Sequence, residues 1–345
     1  MPEKKKDIGM IILIILLVVL LLGISVYAFL LSKKLDRLSS TNGDTTSTET
    51  DARDEGLDKW QEGVISYNGK RYQYNFDLSV YLVLGVDKDG EKEAVTNYKL
   101  GGQSDALFLV VANKETEELS VISINRNAMT RISTCDEEGK STGYTTAQIC
   151  TQHGFGDGMY LSCTRTVDAV SYLFYNQPID GYISMNMGAI TALNDAVGGV
   201  KVEVLENISK PSSGVNLKKG DTVTLKGMDA YYYLRYRDTN AFDSASARLR
   251  RQEQYIGGFM TALDEVSNDM NKLLAMYDSV SRYIVSNVEF ATLAAELSQY
   301  DYSSDRMYTV PGETVKTEVF EEYHVDDKAL YQMIIDIFYE EVEAK

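Results

Sequence analysis

Two short stretches concentrate arginine in an otherwise acidic chain. Tyr231 to Asp238 reads YYYLRYRD, and Arg248 to Gln252 reads RLRRQ. The chain carries 51 Asp and Glu against 34 Lys and Arg, for a net charge of −17. A solvated charged face would mix lysine with arginine, whereas arginine alone suits planar, bidentate contact with phosphate or carboxylate oxygens. On a helix, Arg248, Arg251 and Gln252 stand at i, i+3 and i+4 and line one side, while Arg250 points elsewhere, to solvent. Arginines in the first turns of that helix add to its positive end, which suits a phosphate. Arg235 and Arg237 would diverge by about 200° on a continued helix. They share a face if the chain becomes extended at Arg235.

Three further residues could join them. Asp87 ends an apolar run in GVDKDG, and Asp105 precedes another in GGQSDALFLVV. Taken alone, Asp87 reads as a turn residue and Asp105 as a loop or capping carboxylate. Together they flank neighbouring strands, and hard oxygen ligands on loops are what Mg²⁺ uses when substrate phosphates complete its shell. Arg126 follows the run LSVISIN, either as a surface arginine or as a residue of the crevice at a sheet's edge, where α/β folds bind ligands. Two carboxylates and several arginines form a set suited to neutralising a pyrophosphate with metal and guanidinium.

The elements that must position these residues are legible in outline. Ser79 to Asp87 and Asp105 to Asn113 are near-continuous apolar runs, as strands buried on both faces would be, and Leu119 to Asn125 follows. VISYNGKRYQYN carries a hairpin signal at Asn68-Gly69. Helical periodicity marks SCTRTVDAVSYLFYN, GAITALNDAVGG with its terminal Gly pair, and Ala245 to Leu263. Val200 to Val204 is a strand. Helices are expected near Asn271 to Ile284, Val288 to Tyr300 and Asp326 to Val342, with a strand at Met307 to Val310. The alternation predicts an α/β fold, a mixed central β-sheet covered by helices on both sides in a three-layer α-β-α arrangement.

Ile8 to Leu31 is uncharged and spans roughly 36 Å as a helix, enough to cross a bilayer. It reads as an uncleaved transmembrane helix that leaves residues 1–7 in the cytoplasm and the bulk of the chain outside. Residues 32–62 are polar and Thr-rich, a flexible stalk. The acidic balance argues against nucleic acid as a partner. Cys135, Cys150 and Cys163 allow at most one internal disulfide or three buried thiols. The only histidines are His153 and His324.

From Ser79 to Phe259 the chain resembles the LytR-CpsA-Psr family of bacterial cell-envelope enzymes. LVLGVD, QSDALFLVVAN, SVISINRNA, PIDGYISMNMGAITALNDAVGGVKVEV, LKKGDTVTLKGMDAYYYLRYRD and RLRRQEQYI match family segments in order. The resemblance implies transfer of a glycopolymer, carried on a polyprenyl pyrophosphate, to a peptidoglycan hydroxyl through a phosphodiester at the membrane. It implies Mg²⁺ on Asp87 and Asp105, and pyrophosphate gripped by Arg126, Arg235, Arg237, Arg248 and Gln252 with Arg251 in support. Asp105 becomes the candidate base, and residues 63–265 the catalytic domain, with 266–345 packed on it. The same site with water as acceptor would be a polyprenyl-pyrophosphate phosphohydrolase. Without turnover it would be a receptor for lipid-linked glycan. This sequence departs from the family at Gln103, where Arg is usual, and at Asn125 and Asn127, where Pro and Asp flank the arginine. It departs again at Gln148 to Thr151, in place of Lys-Ile-Asn-His, and at Ala245, where an Asp is usual and Asp243 stands nearby.

Overall fold

The computed structural model describes residues 64–238, 240–266, 269–289 and 300–343. The apolar run, the stalk and most of the helix expected at Val288 to Tyr300 lie outside these residues. No helix among the described residues is long and apolar enough to cross a membrane.

The chain opens with a hairpin, β1 (Val64–Tyr67) and β2 (Lys70–Tyr74). Its turn residues, Asn68 at φ 49° and Gly69 at φ 76°, are both left-handed, as a two-residue turn matching strand twist requires. Three long strands follow: β3 (Leu78–Val86), β4 (Ser104–Asn113) and β5 (Glu118–Ile124). Then come β6 (Met129–Cys135) and β7 (Ser141–Gln148), helix α1 (Tyr160–Leu173), β8 (Gly181–Asn186) and α2 (Ala189–Ala196). Short strands β9 (Val200–Glu203), β10 (Ile208–Lys210), β11 (Val215–Leu217) and β12 (Thr222–Leu225) precede α3 (Met228–Arg235), α4 (Ser244–Val266) and α5 (Met270–Val280). The chain closes with β13 (Ile284–Ser286), β14 (Asp301–Thr309), β15 (Gly312–Lys316), β16 (Glu321–Val325), α6 (Asp327–Phe338) and β17 (Tyr339–Val342).

The central sheet runs β13-β8-β3-β4-β5-β14. It is mixed: β3 pairs parallel with β8 and antiparallel with β4, and β14 pairs parallel with β5. Its middle strands are apolar on both faces because both faces are covered. Leu82, Leu84, Leu107, Leu109 and Ile122 pack with Val170 and Leu173 of α1 and with Leu330, Ile334 and Phe338 of α6. On the other face Phe108 and Val121, with Val83 and Ala106, meet Leu249 and Ile256 of α4. A second core gathers Val200, Val202, Ile208, Leu217 and Leu225 around Tyr233 of α3, Tyr255 of α4 and Met276 of α5.

Two expectations about the C-terminal part need correction. The closing helix stops at Phe338, not Val342, because Tyr339 to Val342 pair antiparallel with the open edge of β2. The helix expected through Ile284 ends at Val280, and β-branched Ile284 and Val285 instead extend the central sheet beside β8. The hairpin β6–β7 was not foreseen: β7 reads STGYTTAQ, too polar to show a strand period. Phe338 is fully buried in the main core. Phe338→Ala should lower unfolding stability by about 3–5 kcal/mol, measured by chemical denaturation.

Candidate functional site

The site grows from an irregularity between β3 and β4. Gly85 pairs with Ala106, but the next residue, Val86, pairs with Ser104, so Asp105 is an extra residue on β4. Such a bulge re-aims a side chain and twists the strand. Gly85 allows it: a Cβ there would stand 3.0 Å from the Ala106 Cβ. The Asp105 carboxylate lies where two guanidiniums converge. Its Oδ1 is 2.7 Å from Arg126 Nε, and its Oδ2 accepts a 2.7 Å bond from Arg248 Nη1.

Arg126 comes from the loop after β5, and Arg248 from the second turn of α4. Leu249 and Ile256 dock α4 on the sheet face that carries Ala106 and Phe108, which brings Arg248 over Asp105. The side chains of Arg248, Arg126 and Asp105 are only 5%, 11% and 13% exposed, so these charges meet largely out of water. Burial lowers the pKa of Arg248; Asp105 opposes that shift, while Arg126 and Arg237 add to it. The Arg248 Nη2 is buried with no hydrogen-bond partner among the described residues. One carboxylate between two guanidiniums leaves a net positive charge there.

Asp87, just past β3, joins through its neighbours. Its N–H donates to the Gln103 carbonyl at 3.0 Å, and its Oδ1 accepts the Gln103 N–H at 2.7 Å. Gln103 Oε1 in turn accepts from Arg126 Nη2. Gly102, at φ +87°, lets the loop lie against Asp87; a Cβ there would sit 3.1 Å from Asp87 Oδ1. His153 fixes the same loop from behind: its Nδ1 is 3.0 Å from the Gly101 carbonyl and 3.2 Å from that of Gly102, so Nδ1 carries the proton. Beside Asp87 and Gln103 opens a groove of about 590 Å³ with Leu100, Ile132, Ala147 and Phe155 on its walls.

The remaining arginines part company. α3 ends at Arg235 and Tyr236 is extended, at φ −52° and ψ 137°. Arg235 nevertheless bonds Asp89 at 3.0 Å and the Tyr231 hydroxyl, away from Arg237. Arg237 Nε donates to Ser244 Oγ at 2.8 Å, and its Nη2 lies 3.6 Å from Glu321 Oε2. Arg251 is fully buried and donates to the carbonyls of Tyr233 and Tyr236 and to Glu206. Gln252 Nε2 reaches the Leu234 carbonyl at 3.4 Å. Arg251 and Gln252 thus brace the C-terminal carbonyls of α3, which lack partners within their own helix. Arg250 is exposed.

Sequence reasoning passed over Cys150 as a site residue. Its thiol is pushed up to about 11 by burial, with Arg126 and Arg248 lowering it and Asp105 and Asp87 raising it, which places it among the four charges. Its one signal was its position in a segment that departs from the family pattern. All three cysteines are buried free thiols. As a metal site, the arrangement is sparse: no three His, Cys, Asp or Glu side chains gather around a common point among the described residues. Asp87 and Asp105 fit a hard cation of the Mg²⁺ type only if ligand phosphate and water complete the shell.

Two measurements separate structural from ligand-facing groups. Arg251→Ala should cost about 3–5 kcal/mol of stability by leaving Glu206 and two carbonyls unpaired, read by denaturation, whereas Arg250→Ala should leave it unchanged. Burial holds His153 down at about 4. It is therefore neutral in the folded protein at pH 7, and as pH falls through its ordinary value of 6.5 the unfolded chain takes up a proton that the fold resists. Stability should fall by up to roughly 3 kcal/mol as pH drops through that window. His153→Gln should flatten this part of the curve of melting temperature against pH.

Comparison with known proteins gives the family. Over 331 residues the chain is 25% identical to the polyisoprenyl-teichoic acid–peptidoglycan teichoic acid transferase TagU of Bacillus subtilis, covering 95% of this chain and 94% of that protein. A solved Streptococcus agalactiae protein shares the fold at TM-score 0.61 and 22% identity, over 76% of this chain and 86% of its own. A structure of TagT bound to LI-WTA does so at TM-score 0.56 and 21% identity, over 76% of this chain and 90% of its own. The model of the LytR_cpsA_psr family matches residues 38–336, and the chain belongs to that family.

Proposed function

We infer that this protein is a phosphotransferase that moves a glycopolymer from a polyprenyl pyrophosphate to a peptidoglycan hydroxyl. The observation that carries this reading is the buried triad Arg126–Asp105–Arg248, with its residual positive charge and an unpartnered Arg248 Nη2. A diphosphate supplies the oxygens such a site lacks. Phosphoryl transfer asks a protein chiefly for positioning and charge neutralisation. That the TagU relative is named a teichoic acid transferase supports this substrate class.

In this reading the guanidiniums of Arg126 and Arg248 turn from Asp105 to the phosphate oxygens as the lipid arrives, with Arg237 beside them. A carboxylate oxygen released in that exchange accepts the proton of the acceptor hydroxyl. The hydroxyl oxygen forms a bond to the glycopolymer-bearing phosphorus, the bond from that phosphorus to the bridging oxygen breaks, and polyprenyl monophosphate leaves. Asp87 and Asp105 would hold Mg²⁺, which when bound supplies further neutralisation of phosphate charge. A diphosphate diester carries two negative charges, which the guanidiniums and a divalent cation would share. The apolar-walled groove beside Asp87 would take the start of the prenyl chain, with Ile8 to Leu31 anchoring the protein and its body outside the cytoplasm.

Asp105→Asn should lower transfer to peptidoglycan by at least about 100-fold, the usual worth of a positioned base, while pyrophosphate-lipid binding survives. Arg248→Ala should weaken that binding by about 1.5–3 kcal/mol. Lipid cleavage without peptidoglycan would mark a hydrolase instead, and full activity of Asp105→Asn in a deletion strain would mark a receptor.

A further inference from the structure

We propose that Glu321, on the C-terminal hairpin β15–β16, is a positioning residue of the anion site, acting through Arg237 and the start of α4. This role rests on the phosphotransfer reading above and extends it to a segment to which sequence reasoning gave no chemistry.

The Glu321 carboxylate reaches two elements of the site at once. Its Oε1 accepts the Asp243 N–H at 3.0 Å, and its Oε2 lies 3.6 Å from Arg237 Nη2. Asp243 sits immediately before α4 at φ 58°, a left-handed conformation that a residue other than glycine keeps only when its surroundings hold it. The hairpin holds it from both strands, because the Thr314 hydroxyl of β15 also donates to Asp243 Oδ1. The Asp243 carbonyl then accepts the Ala247 N–H at 3.1 Å and so starts the helix that carries Arg248.

Glu321 is itself anchored. Gln148 Nε2 donates to its carbonyl at 2.7 Å, and two residues on, Tyr323 N–H donates to the Asn127 carbonyl at 2.9 Å, beside Arg126. The hairpin therefore touches the segments bearing Arg126, Arg237 and Arg248 together. Glu321 does not commit both oxygens to hydrogen bonds. Instead Oε2 is buried without a hydrogen-bond partner among the described residues, facing a guanidinium just beyond bonding distance. With Nε tied to Ser244 and Nη2 drawn toward Glu321, Arg237 is oriented from two sides, which aims the rest of its fork. The amide of Glu321→Gln would set a donor against Arg237 and lose that orientation.

The test is a double-mutant cycle on the full-length protein in detergent, with inorganic pyrophosphate and Mg²⁺ as probe and calorimetry as readout. Glu321→Gln should weaken binding by about fivefold, the upper range for a partly exposed ion pair. In an Arg237→Ala background only the smaller part carried through the start of α4 should remain, whereas in an Arg126→Ala background its effect should persist in full. Tyr323→Phe removes a hairpin bond, to the Val310 carbonyl, that involves neither Glu321, Arg237 nor Asp243, and should leave binding unchanged. If Glu321→Gln does not fold, Glu321→Asp, whose shorter carboxylate cannot span both partners, replaces it in the same cycle. An effect that is absent, that adds fully to Arg237→Ala, or that Tyr323→Phe reproduces overturns the role of Glu321 and leaves the phosphotransfer reading standing. Failure of the wild-type protein to bind pyrophosphate overturns both.

Discussion

The site depends on one carboxylate that stands where an ideal strand would not put it. Asp105 occupies an unmatched position between β3 and β4, and there it binds guanidiniums from two distant parts of the chain. Burying Arg248 alone would carry a desolvation penalty of several kcal/mol, and removing one partner of such a pair is more damaging than never having made it. Asp105 offsets that penalty for two arginines at once but can neutralise only one. The fold thus holds an excess of positive charge in a place of low water access, where an arriving anion interacts more strongly than it would at the surface.

α4 makes this arrangement possible because it belongs to two cores. Leu249 and Ile256 pack on the central sheet, while Tyr255 and Phe259 pack in the second core. With both sides fixed, residues on the rest of the helix have little freedom in where they point. Arg248 meets Asp105; Arg251, one turn later, meets the end of α3. The end of α3 is half-buried, its last carbonyls need donors, and Arg251 is the long donor that reaches them. Two arginines three residues apart thus take unrelated roles, one facing the site and one holding the turn from which Arg237 projects.

Much of the scaffold could be read from the sequence, and less of the site. β3, β4 and β5 were legible because strands covered on both faces are apolar along their whole length, and the Asn68-Gly69 turn because few residues tolerate its backbone. β7 and β17 were not, since each is stabilised by pairing with a partner strand rather than by a buried apolar face. Residue type and spacing singled out Asp105, Arg126 and Arg248, but no local pattern announces a bulge, and without it the convergence of the three could only be an expectation. The spacing of Arg248, Arg251 and Gln252 was misleading for a related reason. A common helix face does not ensure a common partner when another helix ends against part of that face. Arg235 drew closer to Asp89 than to Arg237, a tertiary contact between a loop and α3 that no local spacing encodes.

The departures from the family pattern cluster around the triad, and their chemistry is consistent. Gln103, Asn125 and Asn127 stand where family members carry charge or proline, yet each is held by hydrogen bonds that keep the backbone and the arginines in place. Gln103 accepts from Arg126, Asn127 accepts from it at 3.3 Å, and Asn125 donates to Ser246 on α4 at 3.0 Å. Neutral amides can preserve the geometry of such a network, because direction and distance are supplied by hydrogen bonds while net charge is supplied elsewhere. What they alter is the electrostatic balance. Losing one arginine at Gln103 and one carboxylate at Asn127 removes a charge of each sign beside Arg126, so the sum is unchanged while fewer charges share the site. That leaves greater weight on what orients Arg248 and Arg237: α4, which bears Arg248 and bonds Arg237 through Ser244, and the C-terminal hairpin, which reaches Arg237 through Glu321.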